Sequence, residues 1–284
     1  MKIAPTSYHI TISEQNMYDQ IIVVGAGNMG SAIVRGLLAR HHRYSVGVVD
    51  GNQAAVDRMV EAGAIAVDLA EGLNEARAIV LAVPPHEFEC LAVSSPTITR
   101  FTGLTISVMA GVTYDRMHGL FDSDQIVRAI PNTASEILEG MTAFYRGPAV
   151  TSSNGALSKQ ILDSFGLSVE VAEEAMIDSL TALCGGGPAF VARFAEVLAQ
   201  FGRASGLTDP EAIRVSLQLL RGTADLIEST SRRPMQVCQE VMTPNGTTEQ
   251  AMRSLDEGCF DELLTAALDA ASKRSREIGQ EIPT

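Results

Sequence analysis

The stretch Ile21-Ile22-Val23-Val24-Gly25-Ala26-Gly27-Asn28-Met29-Gly30 decides the fold. Its first part, Ile21–Ala26, is apolar without alternation, the pattern of a strand buried on both faces in a parallel sheet. Its second part fits Gly-x-Gly-x-x-Gly. An amphipathic helix follows from about Asn28 to Arg40, with Ile33, Val34, Leu37 and Leu38 on its inner stripe. Strand, glycine turn and helix in this order form the fingerprint of a dinucleotide site. Gly25 permits the tight turn, Gly27 lets the backbone approach a pyrophosphate, and Gly30 lets the helix sit close to the sheet. The helix start, with Asn28 and Met29, presents free N–H groups to the phosphates.

Working outward, Ser45–Asp50 reads as a second strand and Asn52–Ala62 as a second helix closed by Gly63. Ala78–Val83 is a strand ended by Pro84-Pro85, and Leu104–Val108 and Gln125–Ile130 are two more, the latter ended by Pro131. Gly166–Val171 is the last strand candidate. Strands separated by helices predict an α/β fold with a Rossmann-type doubly wound, mostly parallel sheet. Beyond it almost everything is helical. Pro188–Ser205 carries a broad apolar face, Asp209-Pro210 opens a helix to about Glu228, and Asn245–Thr248 is a turn and cap before a helix to Asp256. Gly258 breaks that helix, and Asp261–Ile278 is the last long one. This half is richer in Ala and Leu than one small core needs, which predicts burial against a second copy, a homodimer. The expected division is a polar leader over 1–19, a dinucleotide-binding domain over 20–170 and an all-helical dimerisation and substrate domain over 171–284.

The 284 residues are 46% hydrophobic and 19% charged, which excludes a disordered chain. Acidic residues outnumber basic ones 34 to 21, a formal charge of −13, and no basic cluster exists to neutralise a phosphate backbone, so nucleic acid is not an expected partner. Cys90, Cys184, Cys238 and Cys259 form no CxxC pair and no zinc spacing, so no metal is expected. Each reads as a small buried hydrophobe in a reducing cytosol. Only Cys184, beside a run of glycines, has a neighbourhood of interest. No apolar run has the length of a spanning helix and the first twenty residues lack a signal core, so the expected address is the cytoplasm, away from membranes.

Asp50 stands at the carboxyl end of the second strand, 25 residues past Gly25. That is the place of an acid that grips a ribose 2′-hydroxyl and repels a 2′-phosphate, so NADH is expected to be favoured over NADPH. The alternatives are an Asp that only closes the strand and a phosphate partner in Arg58 on the next helix, the less favoured choice. Val83 and Pro84 are expected to line the crevice, and His86 either touches ribose or substrate or is a solvated loop histidine. Ala110 and Gly111 end another strand and are expected to line the same crevice. Asn132 either orients the nicotinamide or substrate or only ties a tight turn.

The helical half contains no histidine, since all five precede residue 119, and the three lysines, Lys2, Lys159 and Lys273, are poorly placed for a site. Alcohol oxidation needs a group to handle the hydroxyl proton, so a hydroxyacid dehydrogenase is disfavoured. Reduction of a C=N bond needs less, because an iminium already carries the proton and charge that make its carbon accept hydride. Thr243–Thr248 offers either a nest for the anionic end of an imino acid or a simple capping turn. Gly185-Gly186-Gly187-Pro188 marks a close approach, of the nicotinamide or of a crossing helix. Glu196 is either a partner for a cationic nitrogen or a solvated glutamate.

Together these segments resemble the pyrroline-5-carboxylate reductases, which make proline by reducing a five-membered cyclic imine. The resemblance covers nearly the whole chain. It rests on Gly25–Gly30, Ala82–His86, Ala110-Gly111-Val112, Pro131-Asn132-Thr133, Glu139–Ala143, Gly185–Phe190 and Thr243–Thr248. It implies a nucleotide domain and a helical domain that intertwines with its twin, in some members assembled into larger rings. It also implies that Thr248 approaches the imine nitrogen and that the adjacent turn receives the substrate carboxylate. Thr247 and Thr248 are thus the expected catalytic residues, and Asn245, Gly246, Gly186 and Gly187 the expected substrate-binding ones. The chain departs from the family pattern at Pro84 and His86, where a lysine and a glutamine are usual. It departs again at Cys184-Gly185-Gly186, which lacks two serines, and at Asn245, which replaces a glycine. The expected activity is NAD(P)H-dependent reduction of 1-pyrroline-5-carboxylate to L-proline. A different cyclic imine or ketimine acid, or a non-catalytic NAD-binding dimer, is the alternative.

Overall fold

The computed structural model describes residues 19–40 and 44–281. The expected leader therefore lies outside the described residues, apart from Asp19. The chain forms two compact units, one ending at Ile177 and regaining the chain from Ile278, the other spanning Asp178–Glu277.

The first unit is built on β1 (Asp19–Val24), α1 (Asn28–Arg40), β2 (Tyr44–Val49), α2 (Gln53–Glu61), β3 (Ile65–Ala66), α3 (Leu69–Gly72) and β4 (Ala76–Leu81). It continues with α4 (Phe88–Ser94), α5 (Pro96–Thr99), β5 (Leu104–Ser107), α6 (Tyr114–His118) and β6 (Ile126–Ile130). It ends with β7 (Gly140–Arg146), α7 (Ser152–Leu162) and β8 (Gly166–Val171). The eight strands form one sheet in the order β3-β2-β1-β4-β5-β6-β7-β8. Every pairing is parallel except β6 with β7. The sheet is thus doubly wound and mostly parallel, as expected.

The unbroken apolar run of β1 follows from burial on both faces. Ile21 and Val23 join Ile33, Leu37, Val46, Ile106, Phe144 and Ile161 in one core. Ile22 and Val24 join Ile79, Leu81, Phe88, Ile98, Met117 and Phe121 in the other. Alternate side chains of one strand therefore feed two cores. The strands at the crevice end one or two residues earlier than the sequence suggests, at Val24, Val49, Leu81 and Ser107. Just beyond, the N–H groups of Gly25, Ala82 and Val108 still donate to the Val49, Val24 and Leu81 carbonyls, and the residues up to Ala26, Asp50, Val83 and Val108 form the crevice rim.

The second unit is helical, with α8 (Met176–Leu180) leading into it through a π-helical turn at Thr181–Gly185. It comprises α9 (Gly187–Ala204), α10 (Asp209–Thr230), α11 (Pro234–Val241), α12 (Thr247–Glu257) and most of α13 (Phe260–Glu281). At the start of α10 a capping box links Thr208 and Glu211, with Pro210 in the first turn, where its missing N–H costs nothing. The hydroxyl bond and the Thr208 N–H hold the Glu211 carboxyl below the usual carboxylate range. The continuous helical stretch Met176–Ala204 is long and apolar enough to cross a membrane by length and composition, which corrects the expectation that no run reaches that length. Its composition fits a helix–helix interface equally well, and only 22% of the relevant window is buried within the chain.

Candidate active site

A crevice of about 840 Å³ opens over the carboxyl ends of β1, β2, β4 and β5, the place where doubly wound sheets bind ligands. Gly25, Gly27, Asn28 and Met29 line it from the first turn, Asp50, Gly51, Asn52, Ala55 and Arg58 from the second, and Val83, Pro84 and Ala110 from the next two.

The three glycines have different physical reasons. Gly25 has φ +100°, and a Cβ there would lie 2.6 Å from the Ala82 carbonyl oxygen. Gly30 is buried, and a Cβ there would come within 1.8 Å of the Gly25 carbonyl oxygen, so α1 can approach the strand only without a side chain. Gly27 faces open space, with no atom within 4 Å of its Cβ position. A cradle free at the second glycine, at a helix start with no acidic residue in its first turn, fits a pyrophosphate.

Asp50 serves the scaffold. One carboxylate oxygen accepts the Ala26 N–H at 2.6 Å and the other the Asn52 N–H at 2.7 Å. The side chain thereby straps the glycine turn to the end of β2. Asn52 caps α2 by accepting the Ala54 N–H at 3.1 Å. Arg58 is exposed, and it is the one positively charged side chain in the crevice lining among the described residues.

Other expected cofactor residues lie elsewhere. His86 sits on a short 3₁₀ turn, Pro85–Glu87, with its side chain 80% exposed and facing Glu87 at 3.8 Å. It does not line the crevice, and neither does Gly111. Asn132 is buried, and its Oδ1 accepts the N–H groups of Ala134 at 3.2 Å and Met141 at 3.4 Å, tying a 3₁₀ turn to β7. Cys90 lines the crevice and is exposed, as is Cys259, against the expectation of buried thiols. Cys184 is buried, and burial pushes its thiol up, so it packs as a neutral group. Among the described residues no cluster of His, Cys, Asp and Glu could hold a metal ion.

In the helical unit, Gly186 and Gly187 join the π-helical turn to α9. A Cβ on Gly186 would lie 2.7 Å from the Ala182 carbonyl oxygen, whereas Gly187 faces open space. Asn245 is left-handed, with φ +61°, and its N–H donates to the Glu249 carboxylate at 2.6 Å. Gly246 opens α12 with no side-chain cap, so the first N–H groups of the helix, those of Thr247 and Thr248 among them, remain available. Thr247 is exposed and Thr248 half-buried. Glu196 is engaged with Arg203 and Gln200 on its own helix, which leaves it a solvated ion-pair member.

Fold and crevice define a dinucleotide-dependent oxidoreductase with an all-helical second unit. Comparison with known proteins makes the class specific. Residues 174–278 match the family model for pyrroline-5-carboxylate reductase dimerisation, and residues 20–111 the model described as NADP oxidoreductase coenzyme F420-dependent. The chain is 33% identical to the pyrroline-5-carboxylate reductase of Synechocystis sp., over 92% of its own length and 98% of that protein's. It superposes on the Coxiella burnetii pyrroline-5-carboxylate reductase with a TM-score of 0.85 at 32% identity, covering 91% of this chain and 97% of that one. The Plasmodium falciparum pyrroline carboxylate reductase, solved with NADP bound, gives a TM-score of 0.78 at 24% identity, covering 93% and 99%. The chain belongs to the pyrroline-5-carboxylate reductase family.

These findings overturn the expected preference for NADH. The model matched by the nucleotide unit is described by NADP, and the Plasmodium structure holds NADP. At the site itself, each Asp50 oxygen accepts a backbone N–H and so serves the turn, and the crevice lining includes the Arg58 cation.

Proposed function

We propose that this chain reduces 1-pyrroline-5-carboxylate to L-proline with NADPH, residues 20–170 binding the dinucleotide and residues 171–284 supplying dimerisation and the substrate turns. The observation that carries the reading is the glycine-cornered crevice over β1, on a chain whose helical part matches the family's dimerisation model. NADPH supplies the hydride. Gly27 and the start of α1 hold its pyrophosphate, and the Val83-Pro84 and Ala110 rims flank it.

The protein's own part in the chemistry is positioning. The protonated imine accepts hydride at carbon and keeps its proton on nitrogen, so the product amine forms without a side-chain acid. This agrees with a helical unit that has no histidine. The uncapped N–H groups at the start of α12, with Asn245 and Gly246 before them, suit the substrate carboxylate. The Thr248 hydroxyl, with Thr247 beside it, suits the imine nitrogen, and Gly186 and Gly187 leave room for close approach. The homodimer is the working unit, with larger rings assembled from it, and the reaction runs in the cytoplasm, where the four cysteines stay free of disulfides.

NADPH oxidation measured against cyclic imino acids of differing ring size tests the reading. Turnover is expected with the five-membered imine, and Thr248→Ala is expected to lower kcat at least about tenfold with NADPH affinity unchanged. Turnover confined to six-membered imines would reassign the substrate, and silence against every imine would leave a nucleotide-binding dimer.

A further inference from the structure

We infer that Arg58 is the residue that reads the 2′-phosphate of NADPH in this chain, an inference that rests on the nucleotide reading of the crevice. The turn after β2 and the first residues of α2, Asp50-Gly51-Asn52-Gln53-Ala54, contain no cation. They lie where the adenosine ribose sits in a doubly wound sheet. A dianionic phosphate placed there needs a counter-charge, and Asp50 supplies the wrong sign. The crevice lining contains three charged side chains, Asp50, Glu87 and Arg58. Arg58 alone can pair with a phosphate.

Its position on α2 allows this. Asn52, Ala55 and Arg58 follow at intervals of three, so they share one face of the helix, the face that lines the crevice. Helical side chains lean toward the amino terminus, which carries a long arginine from the second turn back over the first, toward the loop. Ala55 between them is small and does not block that path. Among the described residues no carboxylate pairs with Arg58, whereas Arg116, Arg128, Arg146 and Arg203 each hold an acid. Asp50 meanwhile points its oxygens at the Ala26 and Asn52 N–H groups. Strap and reader are thus divided between two residues: Asp50 shapes the loop for any dinucleotide, and Arg58 distinguishes the phosphorylated one. A guanidinium suits the task because it matches phosphate oxygens with two parallel N–H groups.

The test is equilibrium titration of the full-length protein with NADPH, NADH and adenosine 2′-monophosphate, following ligand fluorescence or heat. Arg58→Ala is expected to weaken NADPH and adenosine 2′-monophosphate about tenfold or more and NADH less than about threefold. Arg58→Lys is expected to recover part of the loss, and added salt to narrow the wild-type gap between NADPH and NADH. Arg58 is exposed, so the melting temperature of the variants stays at the wild-type value, which separates ligand loss from unfolding. Equal loss for NADH and NADPH, or no loss for either, overturns the inference while leaving the nucleotide site in place. Failure of the wild-type protein to bind any of the three overturns the underlying reading instead.

Discussion

Removing the Asp50 carboxylate leaves the Ala26 and Asn52 N–H groups without their acceptor. Hydrogen bonds to a charged group are worth about 1.5–3 kcal/mol each when buried, less at a half-exposed rim. Asp50→Ala is therefore expected to lower unfolding stability by about 2 kcal/mol in total. It should also weaken NADH and NADPH in equal proportion, because both rest on the turn that Asp50 straps. Urea unfolding together with paired titrations checks this, and a selective loss of NADH would restore a ribose-gripping role. The case shows why some site residues are legible in a sequence and others are not. Gly25, Gly27 and Gly30 are legible because each is demanded by sterics at a fixed spacing. Asp50 is legible only as to place. Its position after β2 says that it reaches the rim, and only the folded backbone says which N–H groups take its oxygens. Asn132 is the same kind of residue, its carbonyl oxygen used to tie a turn.

The packing of α1 on β1 separates two glycines that look alike in the motif. In Gly30→Ala the new methyl would stand 1.8 Å from the Gly25 carbonyl oxygen and 3.4 Å from Ala82 Cβ, so α1 must retreat from the sheet. Overpacking of this kind costs about 1–3 kcal/mol, and urea unfolding is expected to show it. In Gly27→Ala the methyl meets nothing within 4 Å. Stability is expected to stay within about 0.5 kcal/mol, while NADPH affinity falls at least about tenfold because the methyl occupies the approach of the pyrophosphate. Loss of stability in both variants, or of affinity in neither, would show that the glycines do not divide the work in this way. The elements themselves were legible where pattern and length agree, as in α1, β8 and the long α10 and α13. β7 is not marked as a strand by its sequence. Its sequence, Gly140-Met141-Thr142-Ala143-Phe144-Tyr145-Arg146, opens on a flexible residue and has no clean period. Its strand state comes from β6 on one side and β8 on the other. The two-residue β3 and the π-helical turn at Thr181–Gly185 follow likewise from neighbouring backbone, which no local pattern encodes.

The helical unit leaves a large apolar surface that one copy does not cover. Phe194, Val197 and Phe201 on α9, Leu217 and Leu219 on α10 and Leu263 on α13 are all exposed, Phe201 at 76%. Monomers rarely present so many large apolar side chains on a single unit, and the matched family model is one of dimerisation. A second copy is the partner whose surface is apolar in the same way, as a two-fold interface requires. Charge opposes the pairing. Each chain carries −13, so two carry −26, and that repulsion weakens as salt rises. The apolar area must therefore overcome a long-range penalty, and the dimer is expected to tighten with added salt. Phe201→Glu places a carboxylate at the carboxyl-terminal end of the exposed α9 face and adds to both effects. Loss of a buried aromatic anchor at an interface costs about 2 kcal/mol or more, equivalent to about a thirtyfold rise in the dissociation constant. Sedimentation equilibrium across protein and salt concentrations is expected to show that rise. The crevice over β1 is lined wholly by the first unit, so NADPH is expected to bind the variant as it binds wild type. Imine turnover should fall with the dimer fraction, since the dimer is the proposed working unit. An unshifted equilibrium would place Phe201 outside the interface, and full turnover by a dissociated variant would show that one chain suffices for the reaction.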